Sequence, residues 1–155
     1  MVNKRFTEIS QVGIVARDRE KVIASMREVF GAEPDQCTLC KVSPAENNGS
    51  YYGRPGDFEA ELLFYNFANL QIEYMIPKCG DNIWSDWMNA HGEGLHHVLF
   101  NVDSFDGAVA DMKEKGIELI QDGPSTLKKG LRWGYFDGYE KVGFVFEIKN
   151  TKEKL

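Results

Sequence analysis

The sequence predicts an α+β fold, with two tandem βαβββ modules forming a curved mixed sheet of two half-barrels around a shared cavity and the helices outside. Three observations predict it. Period-2 alternation followed by a capped amphipathic helix occurs twice, each time ahead of three further strand-like runs. Gln11-Val12-Gly13-Ile14-Val15-Ala16-Arg17-Asp18 aligns with His97-Val98-Leu99-Phe100-Asn101-Val102-Asp103-Ser104, and in each copy a helix of similar length stops at glycine. The copies also end alike, Ile72-Glu73-Tyr74 matching Phe146-Glu147-Ile148. One module alone would expose a face of its sheet, whereas two can close over a common interior. The 155 residues are read as one domain, with module one at about 6–77 and module two at about 93–150.

Taken in order, Phe6 to Ala16 alternates as a strand. Asp18 caps a helix of about 12 residues whose stripe is Val22, Ile23, Met26, Val29 and Phe30, and Gly31 is its left-handed stop. Gln36 to Val42 is a strand. Ser43 to Asp57, with Asn47-Asn48-Gly49-Ser50 and Arg54-Pro55-Gly56, is a long loop of the kind often used as a lid or binding loop. Phe58–Asn66 and Leu70–Pro77 are strands joined by a tight turn near Ala68-Asn69. Cys79 to Asn82 turns into a short helix, Ile83 to Ala90, that carries Trp84, Trp87 and Met88 and ends at His91-Gly92. The strand around His97 follows, then a helix capped by Ser104 with Phe105, Ala108, Val109 and Met112 on its stripe and Gly116 at its end. Ile117–Gln121 is a short strand, and Gly123-Pro124-Ser125 opens a loop. Leu131–Phe136 and Val142–Lys149 are the last strands, turned through Asp137-Gly138.

Composition narrows the function classes. A net charge of −6 argues against nucleic acid as a partner, because basic patches supply that affinity. No apolar run approaches the roughly 20 residues that span a bilayer, and Met1-Val2-Asn3-Lys4-Arg5-Phe6 lacks a signal-peptide core. A cytoplasmic protein without membrane partners is expected. Three cysteines make a disulfide framework improbable. Cys37 and Cys40, at odd and even strand positions, face opposite ways, so they read as packing residues rather than metal ligands.

Strand parity selects the candidate site. Val12/Ile14 and Val98/Phe100 form the sets a helix would cover, leaving Gln11 and His97 on the concave face. Ile72/Tyr74/Ile76 and Phe144/Phe146/Ile148 are the covered sets of the last strands, so Glu73 and Glu147 point inward. His96 faces the helix side by the same rule, and His91 is a helix-end residue. Singly, each inward group has an ordinary explanation, such as a hydrogen-bonded core histidine or a carboxylate at a sheet edge. Together, Gln11, Glu73, His97 and Glu147 occupy equivalent positions of a repeated unit. Two carboxylates in an apolar interior are costly as bare charges, and a cation removes most of that cost. Nitrogen and oxygen donors suit a divalent metal ion (Zn, Ni, Co or Mn), or iron, rather than a thiol-bound ion.

On these residues the chain resembles the vicinal oxygen chelate superfamily, which includes glyoxalase I, methylmalonyl-CoA epimerase, extradiol dioxygenases and bleomycin or fosfomycin resistance proteins. The segment His91-Gly92-Glu93-Gly94-Leu95-His96-His97-Val98 looks like its third-ligand strand. Ile72-Glu73-Tyr74-Met75-Ile76-Pro77 and Val145-Phe146-Glu147-Ile148 look like the second and fourth. Gln11 stands where the epimerases often have histidine, though some glyoxalases use a Gln/Glu/His/Glu set.

The resemblance implies a metal-dependent isomerase, epimerase or lyase of glyoxalase type. Its reaction is proton transfer next to a carbonyl, through a metal-stabilised enediolate or enolate, on a small carbonyl compound or thioester. By similarity Glu147 is the base and Glu73 the second choice. Glu61 falls on the wrong face, because Phe64 pairs with Glu73 across the turn. Only one histidine is available as a ligand, which argues against the two-histidine extradiol and fosfomycin enzymes. The rival is a metal-free binding protein of the bleomycin-resistance type, with Trp84, Trp87, Trp133, Tyr51 and Tyr52 as aromatic walls. Arg54, Lys128, Lys129 and Arg132 are candidates to meet an anionic group of the substrate. A homodimer is expected only by analogy with such folds.

Overall fold

Both modules begin with the same capped turn from strand to helix. The computed structural model describes residues 5–151; the reading of Met1–Lys4 lies outside them. In chain order the elements are β1 (Phe6–Val15), α1 (Arg19–Phe30), β2 (Gln36–Val42), β3 (Ser50–Tyr51), β4 (Arg54–Pro55), β5 (Phe58–Asn66), β6 (Gln71–Cys79), α2 (Ile83–His91), β7 (Gly94–Val102), α3 (Phe105–Glu114), β8 (Leu119–Pro124), β9 (Arg132–Phe136), α4 (Tyr139–Val142) and β10 (Val145–Asn150). The Asp18 carboxylate accepts from the Lys21 N–H at 3.0 Å, and the Ser104 hydroxyl accepts from the Gly107 N–H at 3.1 Å. Gly31 stops α1 with φ 63°, where a side chain would be strained.

The ten strands form one mixed sheet in the order β2-β5-β6-β1-β7-β10-β9-β8-β3-β4. β2-β5-β6-β1 and β8-β9-β10-β7 are the same arrangement read from opposite edges. The two meet at the antiparallel β1/β7 pair. Within each, the first strand runs parallel to the last, β1 with β6 and β7 with β10. The central strands are therefore β6, β1, β7 and β10, the four that carry Glu73, Gln11, His97 and Glu147.

Apolar residues are divided among three clusters. Val22 and Met26 of α1 pack on Leu63, Tyr65 and Ile76. Phe105, Ala108 and Met112 of α3 pack on Val102, Phe136, Phe146 and Ile148. A third cluster fills the concave side, where Trp84 and Met88 of α2 meet Cys40, Phe58, Leu62, Phe64, Trp133 and Tyr135. The helix stripe is narrower than the spacing predicts: Val29 and Phe30, in the last turn of α1, are 68% and 64% exposed.

Three boundaries differ most from the sequence reading. Ser43–Asp57 is not all loop. β3 and β4 form a hairpin inside it, and β3 pairs with β8, so module one finishes the far edge of module two's sheet. Its two-residue turn, Tyr52-Gly53, has φ 46° and 72°. Such a turn requires left-handed residues, usually Asn-Gly, and a tyrosine in the first place hides it from sequence. The buried Asp122 carboxylate, which accepts from the Ser50 hydroxyl and the Arg132 guanidinium, fastens the hairpin. β8 continues through Gly123 and Pro124, which pair with Trp133 and Arg132. A Cβ on Gly123 would lie 2.5 Å from the Trp133 indole, so glycine here is a packing residue, not a turn signal. Finally, Asp137-Gly138 leads into the single-turn helix α4, and β10 starts at Val145 rather than Val142.

Candidate metal centre

Backbone register brings the four inward groups to two neighbouring levels of the sheet. Gly13 of β1 lies opposite both Glu73 of β6 and His97 of β7, and Leu99 of β7 lies opposite both Gln11 and Glu147. Gly13 has no Cβ where one would stand 1.9 Å from His97 Cε1, so its absence is what lets the imidazole lie across β1. Gly13→Ala is accordingly expected to push the ring off its position and to destabilise the fold by roughly 1–3 kcal/mol. Urea unfolding would read the stability, and cation affinity would read the ring's displacement.

The four residues are buried, none more than 6% exposed. His97 Nε2 lies 2.9 Å from Glu147 Oε2, 3.7 Å from Glu73 Oε2 and 3.4 Å from Gln11 Oε1. One ligand atom from each of Glu73, His97 and Glu147 falls within 4.8 Å of the others. Gln11 is oriented from behind: its Nε2 donates to Gln71 Oε1 at 2.6 Å, and Gln71 Nε2 donates to Asn66 Oδ1 at 2.8 Å. With its nitrogen engaged there, the amide turns its oxygen toward the other three groups.

Electrostatics disfavour two ionised carboxylates here without a counter-charge. Burial pushes the Glu147 carboxyl up to about 8, against the opposing pull of the Lys149 ammonium and a Tyr135 hydrogen bond. Glu73 is raised well above the usual range, by burial first and then by the Glu147 charge. Burial lowers His97 to about 3, so its imidazole is neutral and offers a lone pair. Oε2 of Glu73 and Oε2 of Glu147 are buried without a hydrogen-bond partner. The 2.9 Å approach of His97 to the latter is close but lacks hydrogen-bond alignment. Orphaned carboxylate oxygens facing a neutral imidazole and an amide oxygen are a donor set that a divalent transition-metal ion satisfies.

Comparison with known proteins agrees with this architecture. The family model described as the Glyoxalase/Bleomycin resistance protein/Dioxygenase superfamily matches residues 10–135. The chain belongs to that superfamily. The match takes in Gln11, Glu73 and His97 and ends before Glu147. Mitochondrial methylmalonyl-CoA epimerase from Mus musculus is 26% identical over 115 residues, covering 74% of this chain and 56% of the relative. The Homo sapiens enzyme is 24% identical, covering 74% and 57%. The match thus spans little more than half the length of these relatives. Among solved structures, Streptomyces coelicolor methylmalonyl-CoA epimerase in complex with 2-nitronate-propionyl-CoA superposes with TM-score 0.67 at 20% identity, covering 97% of this chain and 99% of that one. A hypothetical protein from Bacillus halodurans gives TM-score 0.67 at 17% identity, with 96% of each chain covered. At these identities the likeness is one of fold.

Around the superfamily cavity, the wall is only partly the one sequence pointed to. Trp84 and Trp133 line the space over the cluster together with Tyr135, Leu62, Phe64 and Cys40. Trp87 instead stacks on His91 at 4.0 Å, and Tyr52 lies with them at a separate recess. Tyr51 packs against the edge of the central cluster. Parity with Trp133 was the signal for Tyr135, and parity with Glu147 was the signal for Lys149. The free space at the cluster is small, about 30 Å³. It adjoins a recess of about 250 Å³ that shares Gln11, Leu99 and Lys149 with it and is also lined by Lys128 and Asn101. Of the other cations named from sequence, Arg132 is taken up by Asp122, Arg54 is exposed beside Asp81 at 3.8 Å, and Lys129 is exposed.

Two further placements matter. Glu61 points outward to Lys78 at 3.1 Å and Arg19 at 3.8 Å, away from the cavity. His96 departs from the parity expectation. The β1/β7 register shifts between Gly13/His97 and Ile14/Leu95, so His96 is the extra residue of a β-bulge. It is buried on the concave side against Trp87 of α2, Tyr135 and His97, rather than under α1 or α3.

Proposed function

We propose that this chain is a metal-dependent isomerase that moves a proton at the carbon next to a thioester or related carbonyl, in the manner of an epimerase. The observation that carries the reading is the pair of buried, unpartnered Oε2 atoms of Glu73 and Glu147 set around the neutral His97. The epimerase relatives support the substrate class. Gln11, Glu73, His97 and Glu147 would hold the cation. When bound, it would supply Lewis-acid stabilisation of the negative charge that develops on the substrate's carbonyl oxygen.

The chain's own groups do the rest. Glu147 takes the proton: its Oε2 is buried with no hydrogen-bond partner, so when it is not engaged by the cation it is open to the substrate's acidic hydrogen. Glu73 reaches the same space from the other side of the β1/β7 pair, where it is placed to return a proton. Trp84, Trp133 and Tyr135 keep bulk water from the reacting carbon. Lys149, at the junction with the larger recess, meets the anionic part of the substrate. Lys149→Met should then raise KM for an anionic thioester by ~10-fold or more, the worth of one charge-assisted contact, with a smaller change in kcat.

The test is to purify the protein without added metal, measure its metal content, and follow solvent deuterium into the acidic carbon of methylmalonyl-CoA. Stoichiometric metal with exchange supports the proposal. The aromatic lining favours one rival, a metal-free ligand trap; tight ligand binding without metal and without exchange would select it.

A further inference from the structure

The cluster has a neighbour for which the reaction finds no use. His96 is 3% exposed, and its Nδ1 lies 3.1 Å from Nδ1 of His97. The contact exists because of the bulge. On a regular strand, consecutive side chains point to opposite faces. The extra residue in β7 instead brings both imidazoles to one side, with ring centroids 5.3 Å apart and planes at 87°. Trp87 and Tyr135 meet the His96 ring edge-on at 5.4 and 5.8 Å and hold it there.

At this distance one ring donates an N–H to the other, and which ring donates decides what His97 can do. If His96 donates, the proton of His97 sits on Nε2 and points at the carboxylates, where a cation needs a lone pair. If His97 donates from Nδ1, its Nε2 lone pair is left facing Glu73, Glu147 and Gln11. Among the described residues no other acceptor hydrogen-bonds that Nδ1. Tyr135 offers only its ring, edge-on at 4.9 Å, and His91 Nδ1 is engaged at Trp87 O.

We propose that His96 is a positioning residue of the cation site, accepting the Nδ1–H of His97 and so presenting the His97 Nε2 lone pair to the cation. This rests on the metal-dependent reading above. Without that acceptor, ligation through Nε2 would strand a buried N–H, and loss of such a partner commonly weakens metal binding by about 10–100-fold.

The experiment measures the dissociation constant for Zn²⁺ or Co²⁺ by calorimetry against a competing chelator. It compares wild type with His96→Asn, His96→Gln and His96→Phe, and records thermal melting of each metal-free protein. The Asn amide oxygen falls where Nδ1 does, while the Gln oxygen reaches one bond further and Phe keeps only the shape. The expected result is near-wild-type affinity for His96→Asn and about 10–100-fold weaker binding for His96→Gln and His96→Phe. If His96→Phe does not melt cooperatively, the Asn/Gln contrast alone decides. Equal affinities in all variants, or equal losses in Asn and Gln, would overturn the inference while leaving the cation site intact. A wild type that binds no cation would remove both readings.

Discussion

Glu147→Gln is expected to lower kcat/KM for proton exchange by about 10²–10⁴-fold, the usual contribution of a positioned general base. The substitution is nearly isosteric, so the packing of Glu147 against Leu99 and Tyr135 in register survives. The amide cannot take a proton at neutral pH. Cation affinity should also fall, because one of two anionic donors becomes neutral. Measuring turnover at saturating metal separates the two effects. Glu73→Gln is the comparison: it removes the other anionic donor and the group assigned to return the proton but leaves the assigned base in place, so at saturating metal it should keep more proton exchange than Glu147→Gln while losing inversion. Full turnover by Glu147→Gln would withdraw the assignment of the base and pass the role to Glu73.

The second large effect is on stability. In metal-free protein the Glu147 carboxyl binds its proton up to about pH 8, whereas an ordinary glutamate carboxyl, as in the unfolded chain, releases it near 4.5. Between those values the folded state holds more protons than the unfolded one, so stability must fall as pH rises. The slope approaches roughly 1.4 kcal/mol per pH unit for one proton. The contribution is fully present below about pH 4.5 and is lost by the time pH passes about 8. Glu73, shifted the same way, adds to the trend. Urea unfolding of the chelator-treated protein at several pH values between 5 and 8 would measure it. Saturating metal should flatten or reverse the slope, because the cation stabilises the ionised carboxylates and, at ~100 times its dissociation constant, adds about 2.7 kcal/mol to the folded state. A metal-free protein equally stable at pH 5 and pH 8 would mean that the two carboxyls are better solvated than their burial implies.

Much of the architecture was legible because it is written in local patterns. The caps Asp18 and Ser104 and the stop at Gly31 stand where spacing predicts, and Gln36–Val42 is a strand over the predicted range. The pairing of Phe64 with Glu73 follows from the length of one turn. The concave placement of Gln11, Glu73, His97 and Glu147 follows from alternation combined with the internal repeat. The misses share a cause, since each depends on a partner far along the chain. The β3/β4 hairpin exists because β8 offers an edge and Asp122 a fastening. Gly123 stays in a strand because Trp133 needs its space. His96 turns inward because β7 carries one residue more than β1 opposite it.

The order of residues by itself determined the duplicated βαβββ plan and which side chains share a face, since period and capping act over a few neighbours and need no other partner. Only the tertiary structure decided that four strands from two modules lie adjacent, with these groups at neighbouring levels, that Gly13 leaves room for an imidazole, and that His96 stands behind His97. The physical reason is that register, bulges and buried charge are settled between segments. Their energies arise only when strands some 60 to 90 residues apart are packed together and water is removed.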